Sequence, residues 1–465
     1  MRRCLVLWLV TLCTSTLSIA DVQAGSASAD ADISCADSDR LLPDRPAPLG
    51  QLQTDLAWTV TAGAGVTVAV VDSGVDQANP HLAGAMAPSG TDLVPDPVTT
   101  ARVPPPDPAA DPAAPAPPPP PVVDPGHDGY ADTSGHGTVV AGIVAARPLE
   151  GSGVVGLAPA ATILPVRVYA ADTERADEQG TGLNPARTAQ GIVYAADHGA
   201  QVIVVALSFP DDDPALAAAV VHATQQGSLV VASTGNQTPA KRGDPVPGGP
   251  RWPAASPGAL GVAATDADGL PGASVPGPHV AVSAPAHAVV APANGGQDCA
   301  YTEVSTSWAT AYVAGAAALV AAAHPDESPA QWAYRLTASA VRADPDHRTD
   351  DLGWGIVQPY DAMVLVPGSD VRGPPNPFTG TTVEPVTAHH DALTTTPTGA
   401  PWNGARRTAA LVAVVAVVVL STIGPLLLAR SQRRPTTPAL PATGGLYAPT
   451  VPTGSPQPKS WVAHQ

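Results

Sequence analysis

Short apolar runs alternate with alanine-rich stretches through the middle of this 465-residue chain. The strand-like runs cover residues 66–71, 162–168, 202–207, 229–232 and 260–263. The helix-like stretches cover residues 138–146, 186–197, 214–226 and 309–323. Continuous apolar strands separated by helices indicate a parallel sheet that is covered on both faces. We therefore predict an α/β domain of three layers around a mainly parallel sheet.

The chain is acidic, with 40 Asp and Glu residues against 22 Lys and Arg residues and a formal net charge of −18. Because binding to nucleic-acid phosphates requires a basic face, this charge argues against a nucleic-acid partner. The acidity fits either a soluble exported protein or a surface for a partner that recognises acidic groups, and we favour the first.

The N-terminus has the pattern of an export signal over residues 1–24. Two arginines form its basic start, residues 5–19 its apolar core, and Val22-Gln-Ala24 its small-residue cleavage site. Residues 25–65 are polar and contain proline, so we expect an N-terminal extension that lies as an extended arm over the domain.

Two cysteines remain after the signal is removed, Cys35 in the extension and Cys299 shortly before the last of the motifs described below. Two cysteines in an exported chain favour one disulfide, with two free thiols as the alternative. Such a bridge would tie the extension to the domain.

Two segments are too rich in proline to belong to a packed core. Residues 102–125 favour polyproline II, so we predict a surface insertion into a domain that spans residues 66–366. This insertion is either a spacer, which we favour, or a docking or cleavage loop. Residues 367–407 form a Pro/Thr-rich linker after the domain.

Residues 408–429 are almost wholly apolar. At 1.5 Å per residue, about 20 residues cross a bilayer core of roughly 30 Å, so we predict one C-terminal transmembrane helix. Because the export signal places the domain outside, residues 430–465 form a cytoplasmic tail, and the three arginines at its start follow the positive-inside tendency. Residues 440–444 match a sortase anchoring pattern, but they lie on the wrong side of this helix for that reaction.

Three short motifs each combine one reactive side chain with small residues. Asp72 follows the apolar run Val68-Ala-Val-Val, His136 lies between two glycines, and Ser307 precedes a small-residue run that reaches Gly315. A serine hydroxyl needs an imidazole as general base and a carboxylate that holds the imidazole tautomer. A turn aspartate, a histidine at a helix start and a serine N-cap are ordinary explanations one by one, but the three together predict a catalytic triad.

A fourth motif, Val230-Val-Ala-Ser-Thr-Gly-Asn236, lies between the histidine and serine motifs. A strand that ends in Gly-Asn can place the Asn236 amide where it donates to a developing oxyanion, beside the backbone N–H of Ser307. A turn asparagine is the ordinary alternative. Asn236-Gln-Thr238 is also a formal glycosylation site, a role that an active-site amide does not favour.

With these motifs the chain resembles the subtilisin family of serine proteases from about residue 66 to residue 366. Within that family it resembles the mycosins, the membrane-anchored proteases of actinobacterial type VII secretion systems. The resemblance extends to residues 153–159, 252–265 and 352–358, to the cysteine-containing extension, to the proline-rich insertion and to the single C-terminal membrane helix.

The resemblance implies a subtilisin-like fold with Asp72, His136 and Ser307 as the triad and Asn236 as the oxyanion donor. It implies that Ala206-Leu207-Ser208 edges the substrate cleft, where a peptide adds as an extended strand. The extension is too short for the folding pro-domain of secreted subtilisins, and the resemblance implies that mycosins lack that domain. We therefore expect no inhibitory propeptide.

Several positions depart from the family pattern. The family has Gly-Thr-Ser at the nucleophile and proline four residues later, where this chain has Ser305 and Ala311. If the family's glycine requires a positive φ, Ser305 adds strain of about 1 kcal/mol or more. The family has Ser-Leu-Gly at the cleft edge, where Ala206 and Ser208 stand here. We expect their side chains to narrow the cleft and to make the enzyme either more selective or slower.

These features together predict a membrane-anchored, subtilisin-like serine endopeptidase that lies outside the cytoplasmic membrane. We expect protein or peptide substrates and type VII secretion membrane components as partners. The chemistry requires no metal or other cofactor, and no metal-ligand cluster stands out in the sequence. Two alternatives stay open: a structural subunit that stabilises the secretion complex, and an autonomous surface protease.

Overall fold

The computed structural model of the protein describes residues 41–95, 128–237, 248–383 and 412–413. The predicted signal peptide, the proline-rich insertion at 102–125 and the cytoplasmic tail therefore lie outside the described residues. The predicted membrane helix does too, apart from Val412 and Ala413, which are helical. The chain divides into two units, Met1–Val386 and Thr387–Gln465, and the fold below is that of the first.

A seven-stranded sheet with the strand order β2-β3-β1-β4-β5-β6-β7 forms the middle layer. Every pairing between its described strands is parallel, which confirms the predicted mainly parallel sheet. The strands are β1 (Thr67–Asp72), β2 (Thr91–Asp92), β3 (Thr162–Arg167), β4 (Val202–Val205), β5 (Leu229–Ser233), β6 (Leu260–Thr265) and β7 (Val282–Pro285).

Helices cover both faces of this sheet. They are α1 (Ala47–Gln51), α2 (Thr54–Ala57), α3 (His136–Ala145), α4 (Glu174–Glu178), α5 (Pro185–Asp197), α6 (Pro214–Gln225), α7 (Thr306–Ala323), α8 (Pro329–Ala338) and α9 (Pro359–Val364). An antiparallel hairpin of β8 (Val289–Pro292) and β9 (Asp298–Tyr301) stands apart from the sheet.

Alternate side chains of the strands enter two separate cores. Val68 and Val70 of β1 join the core that contains α3 and α7, whereas Ala69 and Val71 join the core that contains α5 and α6. Both faces of the strand are therefore apolar, which is why the runs in the sequence are continuous and do not alternate with polar residues.

Helix α7 lies at the centre of the larger core, where the residues from Thr306 to Ala321 are all buried. It is the one described helix that is long and apolar enough to cross a membrane, but 89% of its most apolar window is buried inside the domain. Its small side chains allow close approach, since a Cβ added at Gly315 would lie 2.9 Å from the Cβ of Leu157. Helix α7 is therefore a core helix.

Helices α3 and α7 begin earlier than the apolar pattern predicts, at His136 and Thr306. The prediction started them at residues 138 and 309 because the first turns are glycine-rich or polar and carry no apolar signal. The difference matters for function, since it places His136 and Ser307 inside the first turns of these helices.

The extension is not simply an extended arm in its described part. Helices α1 and α2 form two short turns, and Leu49 and Leu52 are fully buried against the domain. The indole N–H of Trp58 donates to the carbonyl of Leu157 at 2.9 Å. These apolar residues pack the arm against the domain as short helices. The prediction missed this because the average composition of the segment is polar.

Residues 367–383, predicted as the start of the linker, also contact the domain. Arg372 forms an ion pair with Asp346 of the domain. Within the segment itself, the side-chain amide of Asn376 donates to the carbonyl of Gly368 at 2.9 Å. Specific polar contacts fix this segment in spite of its proline content.

A buried His–Asp pair joins the extension, the hairpin and the loop that follows helix α3. The His81 Nε2 and Asp298 Oδ1 atoms lie 3.1 Å apart, and both side chains are fully buried. Asp298 Oδ2 accepts hydrogen bonds from the Leu42 N–H at 2.9 Å and from the Ser152 hydroxyl at 2.6 Å. Burial alone would raise the pKa of Asp298, but the imidazole and these donors hold that pKa below its ordinary value.

We predict that Asp298→Ala lowers the free energy of unfolding by about 3–5 kcal/mol, because it leaves His81 and the Leu42 N–H buried without their acceptor. The exposed pair Asp197–His222, with a shorter 2.6 Å contact, provides the matched control: Asp197→Ala should cost less than about 1 kcal/mol. Denaturant unfolding of both variants tests the difference. Equal losses would contradict the assigned role of Asp298.

Candidate active site

Asp72 is the last residue of β1, at the carboxyl edge of the sheet. Strand β1 lies between β3 and β4, so the order of the strands reverses beside it, and such a point in a parallel sheet opens a crevice for ligands. The Asp72 side chain is fully buried. Its Oδ1 accepts from the Ser73 N–H at 2.8 Å and the Tyr169 hydroxyl at 3.1 Å, and lies 2.8 Å from the His136 Nδ1.

His136 is the first residue of α3, and glycines on both sides allow it to reach Asp72. Gly135 has a φ of +89°, which favours glycine. A Cβ at Gly137 would lie 2.1 Å from the carbonyl oxygen of Gly74. The Gly-His-Gly motif thus follows from the turn before α3 and from the close approach of the backbone behind it.

Asp132 holds the start of α3 in place. Its Oδ1 accepts from the Gly135 N–H at 2.8 Å, and its Oδ2 accepts from the N–H and the hydroxyl of Thr138 at 2.9 and 2.7 Å. It also accepts from the Ser73 hydroxyl at 2.8 Å. A carboxylate at a helix N-terminus satisfies free N–H groups and opposes the positive end of the helix dipole, so Asp132 orients His136 indirectly.

The electrostatics of the site favour a protonated imidazole. Burial alone would lower the pKa of His136, but the charge of Asp72 and the hydrogen bond to it raise that pKa above its ordinary value. With Nδ1 committed to Asp72, the Nε2 atom is the one left to exchange a proton with another group.

Ser307 is the second residue of α7 and lies in the same cleft as His136. Its hydroxyl donates to the carbonyl of Ala206 at 3.1 Å. No hydrogen bond joins it to the His136 ring in the described structure. Catalytic hydrogen bonds are often long or unmade without a substrate, so this geometry is compatible with a nucleophile and its base.

Asn236 is fixed by the residue before Ser307. Its Oδ1 accepts from both the N–H and the hydroxyl of Thr306, each at 2.9 Å. A backbone N–H is always a donor, so the amide oxygen faces Thr306 and the Nδ2 group faces the other way. There it donates to the Ser305 hydroxyl at 3.3 Å.

Ser305 is the N-cap of α7, and its hydroxyl also accepts from the Ser307 N–H at 3.2 Å. Its φ of −126° and ψ of 136° are ordinary extended values. The strain that serine would add at a positive φ is therefore absent, because the backbone here is extended.

The three residues of the predicted cleft edge lie beside the predicted nucleophile and oxyanion donor. Ala206, Leu207 and Ser208 line a cavity of about 340 Å³ together with Ser307 and Asn236. The structure thus brings all seven of the predicted catalytic, oxyanion and cleft residues to one place, although their roles stay predictions.

A second cavity of about 360 Å³ lies on another side of His136, with Trp308 and Tyr301 in its wall. The rings of His136 and Trp308 are 5.3 Å apart, and those of Trp308 and Tyr301 are 5.1 Å apart. Trp308 follows Ser307 directly in the serine motif, so the sequence alone could have predicted an aromatic side chain beside the nucleophile. Tyr169 and Asp132 carried no such signal, since neither belongs to a motif.

Cys299 of β9 takes part in a disulfide. Its predicted partner, Cys35, lies outside the described residues, so the pairing stays a prediction. In the described ranges, no group of three or more His, Cys, Asp or Glu side chains is placed to hold a metal ion.

Comparison with known proteins identifies the family to which this chain belongs. The model of the subtilase family matches residues 63–355, so the chain belongs to the subtilase family and is a serine endopeptidase by class. Within that family it is mycosin-like. Mycosin-1 of Mycobacterium tuberculosis is 32% identical over 364 residues, which cover 69% of this chain and 73% of that protein.

Solved structures agree with this assignment and confirm the subtilisin-like fold. The crystal structure of MycP1 with its N-terminal propeptide removed is 28% identical, with a TM-score of 0.54 over 70% of this chain and 99% of that one. The MycP3 protease from the type VII (ESX-3) secretion system is 28% identical, with a TM-score of 0.53 over 70% of this chain and 91% of that one. The name of the MycP1 structure shows that MycP1 has an N-terminal propeptide; that mycosins lack a folding pro-domain, and that this chain has no inhibitory propeptide, stay predictions.

We predict that the acidic limb of the pH profile of kcat/KM has its midpoint above about 6.5, the ordinary pKa of histidine. The free enzyme needs a neutral His136 as base, and the raised pKa keeps the imidazole protonated to higher pH. Hydrolysis of a peptide substrate between pH 5 and pH 9 measures the midpoint.

Asp72→Asn is the matched variant for this profile, because it removes the charge that raises the pKa of His136. Its kcat should be about 10⁴-fold lower than that of the wild type, and the midpoint of its acidic limb should move to lower pH. A wild-type midpoint at or below about 6.5, or an unmoved midpoint in Asp72→Asn, would contradict the pairing.

Proposed function

We propose that the protein is a membrane-anchored, mycosin-like endopeptidase of a type VII secretion system that cleaves proteins with the triad Asp72, His136 and Ser307. The observation that carries the proposal is the 2.8 Å contact between the Asp72 Oδ1 and the His136 Nδ1, in a cleft that also holds Ser307 at the start of α7. A catalytic triad accounts simply for a fully buried carboxylate that holds a partly exposed imidazole in the same cleft as a serine.

In this mechanism His136 Nε2 removes the proton of the Ser307 hydroxyl as the oxygen attacks the peptide carbonyl. Asp72 keeps the Nδ1–H tautomer in place and stabilises the imidazolium that forms. The imidazolium then protonates the leaving amine, and a water molecule, activated by the same imidazole, hydrolyses the acyl-enzyme.

Substrate binding and activation of the nucleophile are coupled through Ala206. A peptide that adds as a strand along Ala206-Leu207-Ser208 brings backbone N–H donors to this edge. One of them competes for the Ala206 carbonyl, which now accepts from Ser307. Once displaced, the Ser307 hydroxyl is free to turn to the His136 imidazole.

Asn236 and the Ser307 N–H stabilise the negative charge that develops on the carbonyl oxygen. A preorganised donor of this kind raises kcat by a factor of about 10²–10³. The two contacts from Thr306 hold the Asn236 amide in its orientation before substrate arrives, so no reorganisation is needed there.

The cellular placement rests on the termini and on the relatives. The signal pattern of residues 1–24 and the apolar residues 408–429 describe a single-pass protein with its peptidase domain outside the membrane. MycP3, one of the similar structures, is described as a protease from a type VII (ESX-3) secretion system. Membrane components of such a system are therefore the proposed partners.

We predict that a fluorophosphonate serine probe labels the full-length protein in detergent at Ser307, and that Ser307→Ala and His136→Ala abolish labelling. Ser339→Ala is the matched control and should label like the wild type, because Ser339 caps the end of α8 through the Arg335 carbonyl. Peptide mapping by mass spectrometry locates the adduct, and thermal unfolding shows that each variant is folded. Labelling that persists in Ser307→Ala would contradict the proposed nucleophile.

A structural role in the secretion complex is the second candidate. It is favoured by the resting hydrogen bonds of the site, since Ser307 donates to Ala206 and both oxyanion donors contact Ser305. Complementation of a deletion strain with Ser307→Ala separates the two. Protease function predicts that secretion stays impaired, whereas full restoration of secretion would favour the structural role.

A further inference from the structure

We propose that the Ser305 hydroxyl is a built-in occupant of the oxyanion site, which it must leave before the transition state can form. Ser305 would then be a positioning residue that limits kcat and keeps the resting enzyme nearly latent. The inference rests on the proposed function, because it assigns the state of the same catalytic site between turnovers.

Two donors converge on one oxygen atom. The Asn236 Nδ2 lies 3.3 Å and the Ser307 N lies 3.2 Å from the Ser305 Oγ. These are the two groups that the mechanism needs for the carbonyl oxygen of the substrate. A hydroxyl oxygen has two lone pairs, so it can accept both hydrogen bonds at once, as an oxyanion would.

The donors cannot easily turn away from Ser305. The Asn236 amide is held by the Thr306 N–H and the Thr306 hydroxyl, and the latter accepts in turn from the buried Ser233 hydroxyl at 2.8 Å. The Ser307 N–H belongs to the first turn of α7 and has a fixed direction. The movable member is therefore the Ser305 side chain, by rotation about χ1.

The Ser305 hydroxyl is also stable in its resting position. Ser305 is about nine-tenths buried and has unstrained backbone angles. Its bond to the Ser307 N–H is an ordinary N-cap, which satisfies a donor that the helix leaves free. Because nothing in the backbone drives the hydroxyl out, a substrate must displace it.

Displacing the Ser305 hydroxyl raises the free energy of the transition state more than that of the bound substrate. A neutral carbonyl oxygen needs little from the oxyanion site, whereas the developing oxyanion needs both N–H groups. Removal of the hydroxyl should therefore raise the maximal rate and leave ground-state binding almost unchanged. Water that fills the site in its place is not tethered to the chain and exchanges freely.

The test measures the concentration dependence of fluorophosphonate labelling with the full-length protein in detergent, which gives a maximal rate and an inhibition constant. A phosphonyl oxygen occupies the same site as a peptide carbonyl oxygen, so the natural substrate is not required. The variants are Ser305→Ala and Ser305→Gly, with Ser339→Ala as the matched control and Ser307→Ala as the blank.

We expect Ser305→Ala and Ser305→Gly to raise the maximal rate by about tenfold, the effect of removing one or two hydrogen bonds of ordinary strength. The inhibition constant should change little, and Ser339→Ala should behave like the wild type. If the hydroxyl acted only as an N-cap, its removal would not raise the maximal rate while leaving the inhibition constant unchanged. Glycine is accepted at an N-cap almost as well as serine, so Ser305→Gly guards against loss of the α7 start.

An equal or slower maximal rate in both Ser305 variants, with the wild type still labelled at Ser307, would overturn the inference and leave the proposed function intact. A slower rate would mean that the hydroxyl donates to the oxyanion instead of competing with it. Absence of labelling in the wild type and in all folded variants would overturn both the inference and the proposed function.

Discussion

The close packing of α7 against the sheet is the constraint on which the site depends. This helix is buried along almost its whole length and contacts β4, β5, β6 and β7 as well as α3. Such contact requires alanine and glycine, because larger side chains would hold the helix away from the strands. The packing fixes the first turn of α7, and with it Ser307, relative to Asp72 on β1 and His136 on α3.

A second constraint follows from the burial of the polar groups in the site. Buried donors and acceptors need partners, and without a substrate they find them within the cleft. Ser307 uses the Ala206 carbonyl, and Asn236 uses Ser305. The resting site is thus hydrogen-bonded to itself, and a substrate must replace these bonds to enter. Of the two departures from the family pattern, only Ser305 supplies one of these bonds with its side chain, because the bond at Ala206 uses a backbone carbonyl that any residue would present.

The sequence was sufficient for the sheet and for the residues of the cleft, since buried parallel strands read as apolar runs and the motifs lie at their ends. It was insufficient where the decisive contact is between residues far apart. The bonds of Asp132 to the start of α3, of Tyr169 to Asp72 and of Ser305 to Asn236 leave no periodic pattern. The condition for strain at Ser305, a positive φ, is not met, and a family's preference for glycine could not decide this because glycine also adopts ordinary backbone angles.

The central claim is that His136 and Ser307 act on one carbonyl whose oxygen lies between Asn236 and the Ser307 N–H. A crystal structure of the protein after reaction with a peptidyl chloromethyl ketone tests it most directly. The account predicts alkylation of the His136 Nε2, a bond from the Ser307 Oγ to the ketone carbon, and a Ser305 hydroxyl turned out of the oxyanion site. Unmodified His136 and Ser307, or a ketone oxygen directed away from Asn236, would contradict it.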